Sequence, residues 1–469
     1  MIKLQKSVKR RLVLCTAVMM ILAVIVTGVA FGAGEAVHHE NGFASEDGHT
    51  VYYADNRKAT GFLDIDGYRY YFQKDTGYML TGIRTIDGAT YYFMTNGRMY
   101  RGFKTINGSK HYFDPETGKM AKGLTKIKGN TYYFILSNGR MYKGFKTING
   151  SKHYFDPDTG RMVKGLINIK GNTYYFMTDG RMYKGFKTID GYKYYFSPDT
   201  GRMAKGFTKI GDHTYYFLKS GKMMRGLNKI DGNTYYFDPN NSRMQTGMLK
   251  IGRNVRTFNK EGVLIRTVYG DKKAICLTWD DGPSPNTRTI MKVLKDNGAR
   301  GTFFVVGNRV SSYADTLRDN YNQGNQIGNH SWSHADFSRI DADAVKQQVS
   351  DTNSAIKSVI GVKPKIIRTP YGIATSNAKE NVGMPIILWS IDTLDWKTQN
   401  ADSTYNSVIN GARDGDVVLM HDLYTQTAEA VKRIVPALKE RGFQMVTVEE
   451  MALLKGKTLR KGEVYGRIQ

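Results

Sequence analysis

Cysteine is nearly absent from these 469 residues: Cys15 lies inside an N-terminal apolar run and Cys276 stands alone in an apolar, strand-like stretch. Such a pair cannot build a disulfide framework, so stability has to come from packing, repetition or metal. Acidic residues are also in short supply, with 42 Asp and Glu against 68 Lys and Arg. The deficit is local. Residues 51–267 hold 37 basic against 16 acidic side chains, whereas residues 268–469 hold 26 against 22. A positive field confined to one half says little about fold and favours an anionic partner at a surface.

Lys3, Lys6, Lys9, Arg10 and Arg11 precede an uncharged run from Leu12 to Phe31. Residues 1–33 therefore read as an export signal or membrane anchor, long enough to span a bilayer and ending in small residues that suit cleavage. The remainder is expected outside the cytoplasm, secreted or held at a cell surface of Gram-positive type. Export argues against a nucleic-acid partner, and the membrane would be touched only through this segment. Residues 34–50 read as a linker.

From residue 51 to 267 one unit recurs ten times, with leading glycines at Gly61, Gly82, Gly102, Gly123, Gly144, Gly165, Gly185, Gly206, Gly226 and Gly247. In each, a short run such as Phe103-Lys104-Thr105-Ile106 meets a turn pair, here Asn107-Gly108, and a second alternating run, Lys110-His111-Tyr112-Phe113, follows. Asn-Gly and Asp-Gly tolerate the positive φ of a primed two-residue turn, so the unit is a β-hairpin. A lone hairpin is marginal, and stacking buries the Tyr and Phe faces that one unit leaves bare, which predicts a β-hairpin repeat solenoid. Most of these rings, and His111 and His153 at matching positions, are expected in the hairpin core.

The units resemble the cell-wall-binding repeats of choline-binding and glucan-binding type. After the leading glycine, where such repeats usually carry Trp, this chain has Phe62, Ile83, Phe103, Leu124, Phe145, Leu166, Phe186, Phe207, Leu227 and Met248. A choline cage needs aromatic walls around a quaternary ammonium, and half of these positions offer none. The resemblance, taken with the charge, implies an anionic wall polymer such as teichoic acid, or a glucan, as the partner of the array.

Beyond residue 268 the texture changes. Ala274–Trp279, Thr302–Val306, Lys365–Ile367, Pro385–Ile391 and Val417–Met420 read as buried parallel strands, with helices at about 286–297, 342–360 and 426–441. This alternation predicts an α/β fold of barrel or doubly wound kind, which places chemistry at the C-terminal ends of its strands.

The first strand runs into Thr278-Trp279-Asp280-Asp281-Gly282-Pro283, and farther on comes His330-Ser331-Trp332-Ser333-His334. Singly, the first is a turn and the second a coincidence. Two histidines four apart on a helical turn project from one side and can grip one metal ion. Residues 268–469 contain only three histidines, and the third, His421, ends the apolar run Val417–Met420. One carboxylate and two neutral imidazoles leave a metal with net positive charge and open positions, as a Lewis-acid hydrolase requires.

Together with Arg368-Thr369-Pro370-Tyr371, Asp392-Thr393-Leu394-Asp395-Trp396 and Leu419-Met420-His421, these segments closely resemble the five motifs of the polysaccharide deacetylase family, carbohydrate esterase family four, across about residues 270–455. Trp279 stands where the family commonly has Phe. The resemblance implies a distorted (β/α) barrel in which Asp281, His330 and His334 hold a metal, Zn2+ or another divalent ion such as Co2+. It makes Asp280 the general base, paired with and aimed by Arg368. It also makes His421 the general acid, with Asp395 as its charged partner. Tyr371 would lend its backbone N–H to the oxyanion, and Trp396 and Leu419 would line the acetyl pocket. The expected protein is a multidomain deacetylase of N-acetylglucosamine units, with residues 268–469 as catalytic domain and peptidoglycan as the favoured cell-wall polysaccharide. Acetylxylan, chitin or poly-N-acetylglucosamine are the alternative substrates, and an inactive adhesin is the alternative of another class.

Overall fold

A computed structural model of the protein describes residues 40–469. The expected export segment and the start of the expected linker lie outside the described residues. Among the described residues no helix is long and apolar enough to cross a membrane. Packing divides the chain into one unit of residues through Ile167 with Tyr175–Met182, and a second of Asn168–Tyr174 with Tyr183–Gln469.

In the first unit Gly42–Glu46 pairs antiparallel with His49–Ala54, so hairpin structure begins inside the stretch expected to be linker. The following hairpins keep one register, as in Gly102–Ile106 against Ser109–Phe113 and Gly123–Ile127 against Asn130–Phe134. Asn107 and Gly108 have φ of 48° and 73°, the paired left-handed conformation a primed turn demands. Lys128 takes the same place at φ 45° without an Asn or Asp side chain, and Gly129 follows at 81°. Neighbouring hairpins are tied through methionine: Met120 N–H donates to Thr90 O at 2.7 Å, and Met141 N–H to Lys110 O at 2.8 Å. Met120 lies so close over Gly139 that a Cβ there would meet its Sδ at 2.5 Å. Tyr132 and Phe134 are buried, and so are His111 and His153, whose Nδ1 atoms bond to Ser109 O and Ser151 O.

The second unit contains later hairpins and the C-terminal α/β domain. No break in packing marks residue 267: Val255 and Val268 share a core with Ala274, Cys276 and Phe304. Arg266 reaches Glu450, Gly298 O and Met445 O. Glu450 in turn closes a capping box with Thr447 at the start of helix Val448–Lys455.

The central sheet is parallel, in the order Gln326–Asn329, Thr302–Val305, Ala274–Gly282, Val417–His421, Ile391–Asp392, and Gln444–Met445 joins the start of the long middle strand. Helices Thr287–Asp296 and Thr425–Glu440 cover it with Ile290, Leu294, Val431, Ile434 and Leu438, all buried against Leu277, Phe303 and Val418. Closure is irregular. Lys365–Ile367, expected as a strand, makes only single bridges, from Ile367 to Asn329 and to Ile386. Pro385–Ile391, expected as one strand, breaks into Ile386–Ile387 and Ile391–Asp392, because Leu388 N–H donates to Tyr465 O and Ser390 N–H to Val417 O. One bent segment thus reaches both sides of the ring, and the C-terminal domain is a distorted (β/α) barrel that follows the β-hairpins in sequence.

Candidate active site

Every motif residue sits where a strand ends. Asp280 and Asp281 lie among the last three residues of strand Ala274–Gly282, His330 follows Asn329, Arg368 follows the bridging residue Ile367, Asp395 comes three residues after strand Ile391–Asp392, and His421 ends Val417–His421. Barrel geometry brings these ends together around a cleft of about 390 Å³, lined by Asp280, Asp281, His330, His334, Tyr371, Trp389, Trp396, Leu419, His421 and Tyr424.

His330 and His334 are not on a helix. Ser331 and His334 both adopt left-handed backbone, at φ 62° and 59°, and this folded loop rather than helical spacing aims the two rings at one point. Asp281 Oδ1 lies 3.3 Å from His330 Nε2 and 3.3 Å from His334 Nε2, and the donor atoms of the three residues lie within 4.8 Å of one another. That buried oxygen has no hydrogen-bond donor of its own. His330 Nδ1 bonds to Arg368 O at 2.7 Å, which leaves Nε2 facing Asp281 with its lone pair. An orphaned carboxylate oxygen facing two imidazole nitrogens is a donor set that fits a divalent metal.

The three groups shift one another's titration. Burial pushes the Asp281 carboxyl up, but the neighbouring imidazoles, His330 foremost and then His334 and His421, outweigh it and hold the group at about 2. His334 is lowered by burial and by His330 beside it. His330 is itself raised, because the charges of Asp280 and Asp281 overcome its burial.

Asp280 is buried beside this cluster. Arg368 NH1 donates to its Oδ1 at 2.7 Å, while Oδ2 lies 3.7 Å from His330 Nε2. The fully buried guanidinium also donates to Thr278 Oγ1, Ile387 O and Leu388 O, so it is fixed by four partners and fixes Asp280 in turn. Across the cleft His421 Nδ1 donates to Asp395 Oδ1 at 2.8 Å. Asp395 Oδ2 accepts from His421 N–H and Thr427 O–H, at 2.8 and 2.7 Å. Burial opposes a charged His421, yet the Asp395 hydrogen bond and the carboxylates of Asp280 and Asp281 raise it to about 9. Trp396 and Tyr371 form the rim, 48% and 67% exposed, and Leu419 is buried at the wall. Tyr371 has φ 60° in the turn Pro370–Gly372, with its ring 4.6 Å from that of His334.

Sequence reasoning passed over Trp389, Tyr424 and Asp422. Trp389 packs so closely on Gly372 that a Cβ there would meet it at 2.7 Å. Asp422, next to His421, is fully buried against Gly282, accepts from Thr287 O–H and is pushed up to about 7, first by burial. Its position directly after His421 was the available signal.

Residues 267–384 match the family described as polysaccharide deacetylase, and overlapping stretches from residue 59 to 226 match the choline-binding repeat. The chain is 38% identical over 190 residues to the peptidoglycan-N-acetylmuramic acid deacetylase PdaC of Bacillus subtilis, a match spanning 40% of this chain and 41% of that protein. It is 33% identical over 190 residues to a peptidoglycan-N-acetylglucosamine deacetylase of Bacillus cereus, covering 39% of this chain and 69% of the relative. To a chitooligosaccharide deacetylase of Rhizobium leguminosarum bv. trifolii it is 34% identical over 194 residues, covering 37% of this chain and 90% of the relative. With a catalytic-type cleft at the strand ends of its barrel and choline-binding repeats ahead of it, the chain belongs to the polysaccharide deacetylase family.

Proposed function

We propose that this protein is a metal-dependent deacetylase of the cell surface that removes N-acetyl groups from amino sugars of wall peptidoglycan and releases acetate. The observation that carries the reading is one cleft flanked by two oriented pairs, Asp280–Arg368 and His421–Asp395, with Asp281, His330 and His334 converging between them. The repeat array supports a wall polymer as partner, and the relatives named for peptidoglycan support that glycan as the substrate.

Asp281, His330 and His334 are the residues that would hold the metal, Zn2+ or Co2+, which when bound polarises the acetyl carbonyl and acidifies water. Asp280, aimed by Arg368, takes a proton from the attacking water through its Oδ2 side as the new C–O bond forms at the acetyl carbon. The Tyr371 backbone N–H donates to the carbonyl oxygen as charge develops there. His421, charged and held by Asp395, gives its proton to the sugar nitrogen as the C–N bond breaks, so an amine and acetate leave together. Trp396 and Leu419 flank the acetyl methyl group and exclude water from it. Acetate release by the full chain on purified peptidoglycan, chitin oligomers and acetylxylan tests the reading; activity on acetylxylan alone would replace it with an esterase.

A further inference from the structure

The third, fifth and seventh units of the array differ from the rest at two positions at once. Tyr100, Tyr142 and Tyr183 stand two residues before their leading glycines, and Lys104, Lys146 and Lys187 two residues after. The other seven units have Ala, Leu, Val, Met or Gln at the first position and Leu, Arg, Thr, Ile or Asn at the second, so neither residue occurs without the other.

The structure shows why they travel together. Lys104 Nζ lies 5.1 Å from the ring centre of Tyr100 and 5.5 Å from that of Tyr92. Lys146 Nζ repeats this at 5.3 Å from Tyr142 and 5.5 Å from Tyr133, and Lys187 Nζ lies 5.1 Å from Tyr183. Each ring is pinned by its hydroxyl, which donates to Phe103 O, Phe145 O or Phe186 O at 2.9, 2.8 and 2.7 Å. These three lysines are half-buried, whereas Lys126, Lys209 and Lys229, one position later in other units, are exposed.

Tyrosine rings around an ammonium are the arrangement by which proteins recognise quaternary ammonium ligands. Here the cation is part of the chain, so an incoming choline meets rings already engaged and a like charge. An ammonium resting on ring faces still has N–H donors to give to an anion, with an aromatic surface beside it for a sugar or polyol.

We propose that the Tyr–Lys pairs of these alternate units are equivalent sites for the phosphate groups of an anionic wall polymer, the chain's own lysine standing where choline would otherwise supply the cation. The inference rests on reading the array as a wall-polymer binder and specifies the ligand as phosphodiester rather than quaternary ammonium. Three weak sites on one chain act through effective concentration, so removing all three costs more than removing one.

The test uses the full chain, calorimetric titration with a soluble glycerol-phosphate polymer, and a second titration with tetramethylammonium. The variants are K104Q/K146Q/K187Q and a control, K126Q/K209Q/K229Q, that removes equal charge from exposed positions. The expected result is at least about a tenfold loss of polymer affinity in the first variant and less than about threefold in the control. Saturable tetramethylammonium binding should appear only when the lysines are gone. Equal weakening in both variants would overturn the sites while leaving general charge attraction standing, and tetramethylammonium binding by the unmodified protein would overturn them outright. Failure of the unmodified protein to bind the polymer at all would instead sink the reading of the array beneath them. Should the triple variant melt early, Lys146→Gln against Lys126→Gln carries the same comparison at one site.

Discussion

Replacing Asp395 with Asn probes the acid half of the cleft with almost no change in shape. Asp395 faces donors only: His421 Nδ1–H and Trp396 N–H at one oxygen, His421 N–H and Thr427 O–H at the other. An amide must turn its NH2 toward one of those pairs, and it brings no charge. His421 stands at about 9 instead of 6.5 despite its burial. That is a net preference for the imidazolium on the order of 3 kcal/mol, shared among Asp395, Asp280 and Asp281. Hydrogen bonds to charged groups contribute about 1.5–3 kcal/mol against about 0.5–1.5 for neutral ones, so losing the Asp395 charge should lower His421 by about one pH unit. In the proposed mechanism His421 enters the reaction protonated, so activity falls as pH rises through its pKa, and a lower pKa moves that fall to lower pH. A bound metal offsets part of the Asp281 field and brings both enzymes' alkaline limbs below about 9 without changing the difference between them. The assay is kcat/KM against pH on soluble N-acetylglucosamine oligomers, with His421 followed by NMR in parallel. Coincident alkaline limbs and an unmoved NMR midpoint would refute the role of Asp395.

Four further outcomes follow from the geometry. His330→Ala should lose tightly bound metal on dialysis, whereas Asp280→Asn should keep it and lose turnover by about 10²–10⁴-fold, since general-base assistance is of that size; equal metal loss in both would place a ligand role on Asp280. Arg368→Met leaves Asp280 buried without its partner and should cost about 3–5 kcal/mol in a denaturant titration. Phe134→Ala, at a fully buried position in the array, should cost about 3–5 kcal/mol locally; because repeats couple mainly to neighbours, acetate release from soluble oligomers should be unchanged. Sedimentation of the full chain with purified walls should weaken between 0.1 and 1 M salt, as the screening length falls from about 10 to about 3 Å.

The repeats were legible because their period is set by chemistry the chain spells out, an Asn-Gly or Asp-Gly turn between alternating aromatic strands. Lys128 shows the limit, since a lysine in a left-handed turn position carries no sequence mark except the glycine after it. In the barrel, strands with continuous apolar runs were readable, but Gln326–Asn329 was not, having Ile327 as its single large apolar residue. The pieces around Ile367 and Ile386 take their structure from neighbours on two sides, which no local pattern records. The motif residues were legible as a set and their convergence was not. The His330–His334 spacing suggested a helix, while the rings meet through two left-handed residues whose strain only the folded loop supports. Arg368 likewise reads as one basic residue before Thr-Pro, yet it joins Asp280, His330 and two main-chain carbonyls into one frame.

The most direct test of the central claim is a product balance on purified peptidoglycan treated with the full chain carrying Zn2+. Free acetate and newly formed primary amines on the glycan should appear in equal amounts, and both should vanish with a chelator and in Asp280→Asn. Acetate without new amines would mean ester hydrolysis, and no acetate from metal-loaded protein on any N-acetylated glycan would contradict the assignment of this cleft as a deacetylase site.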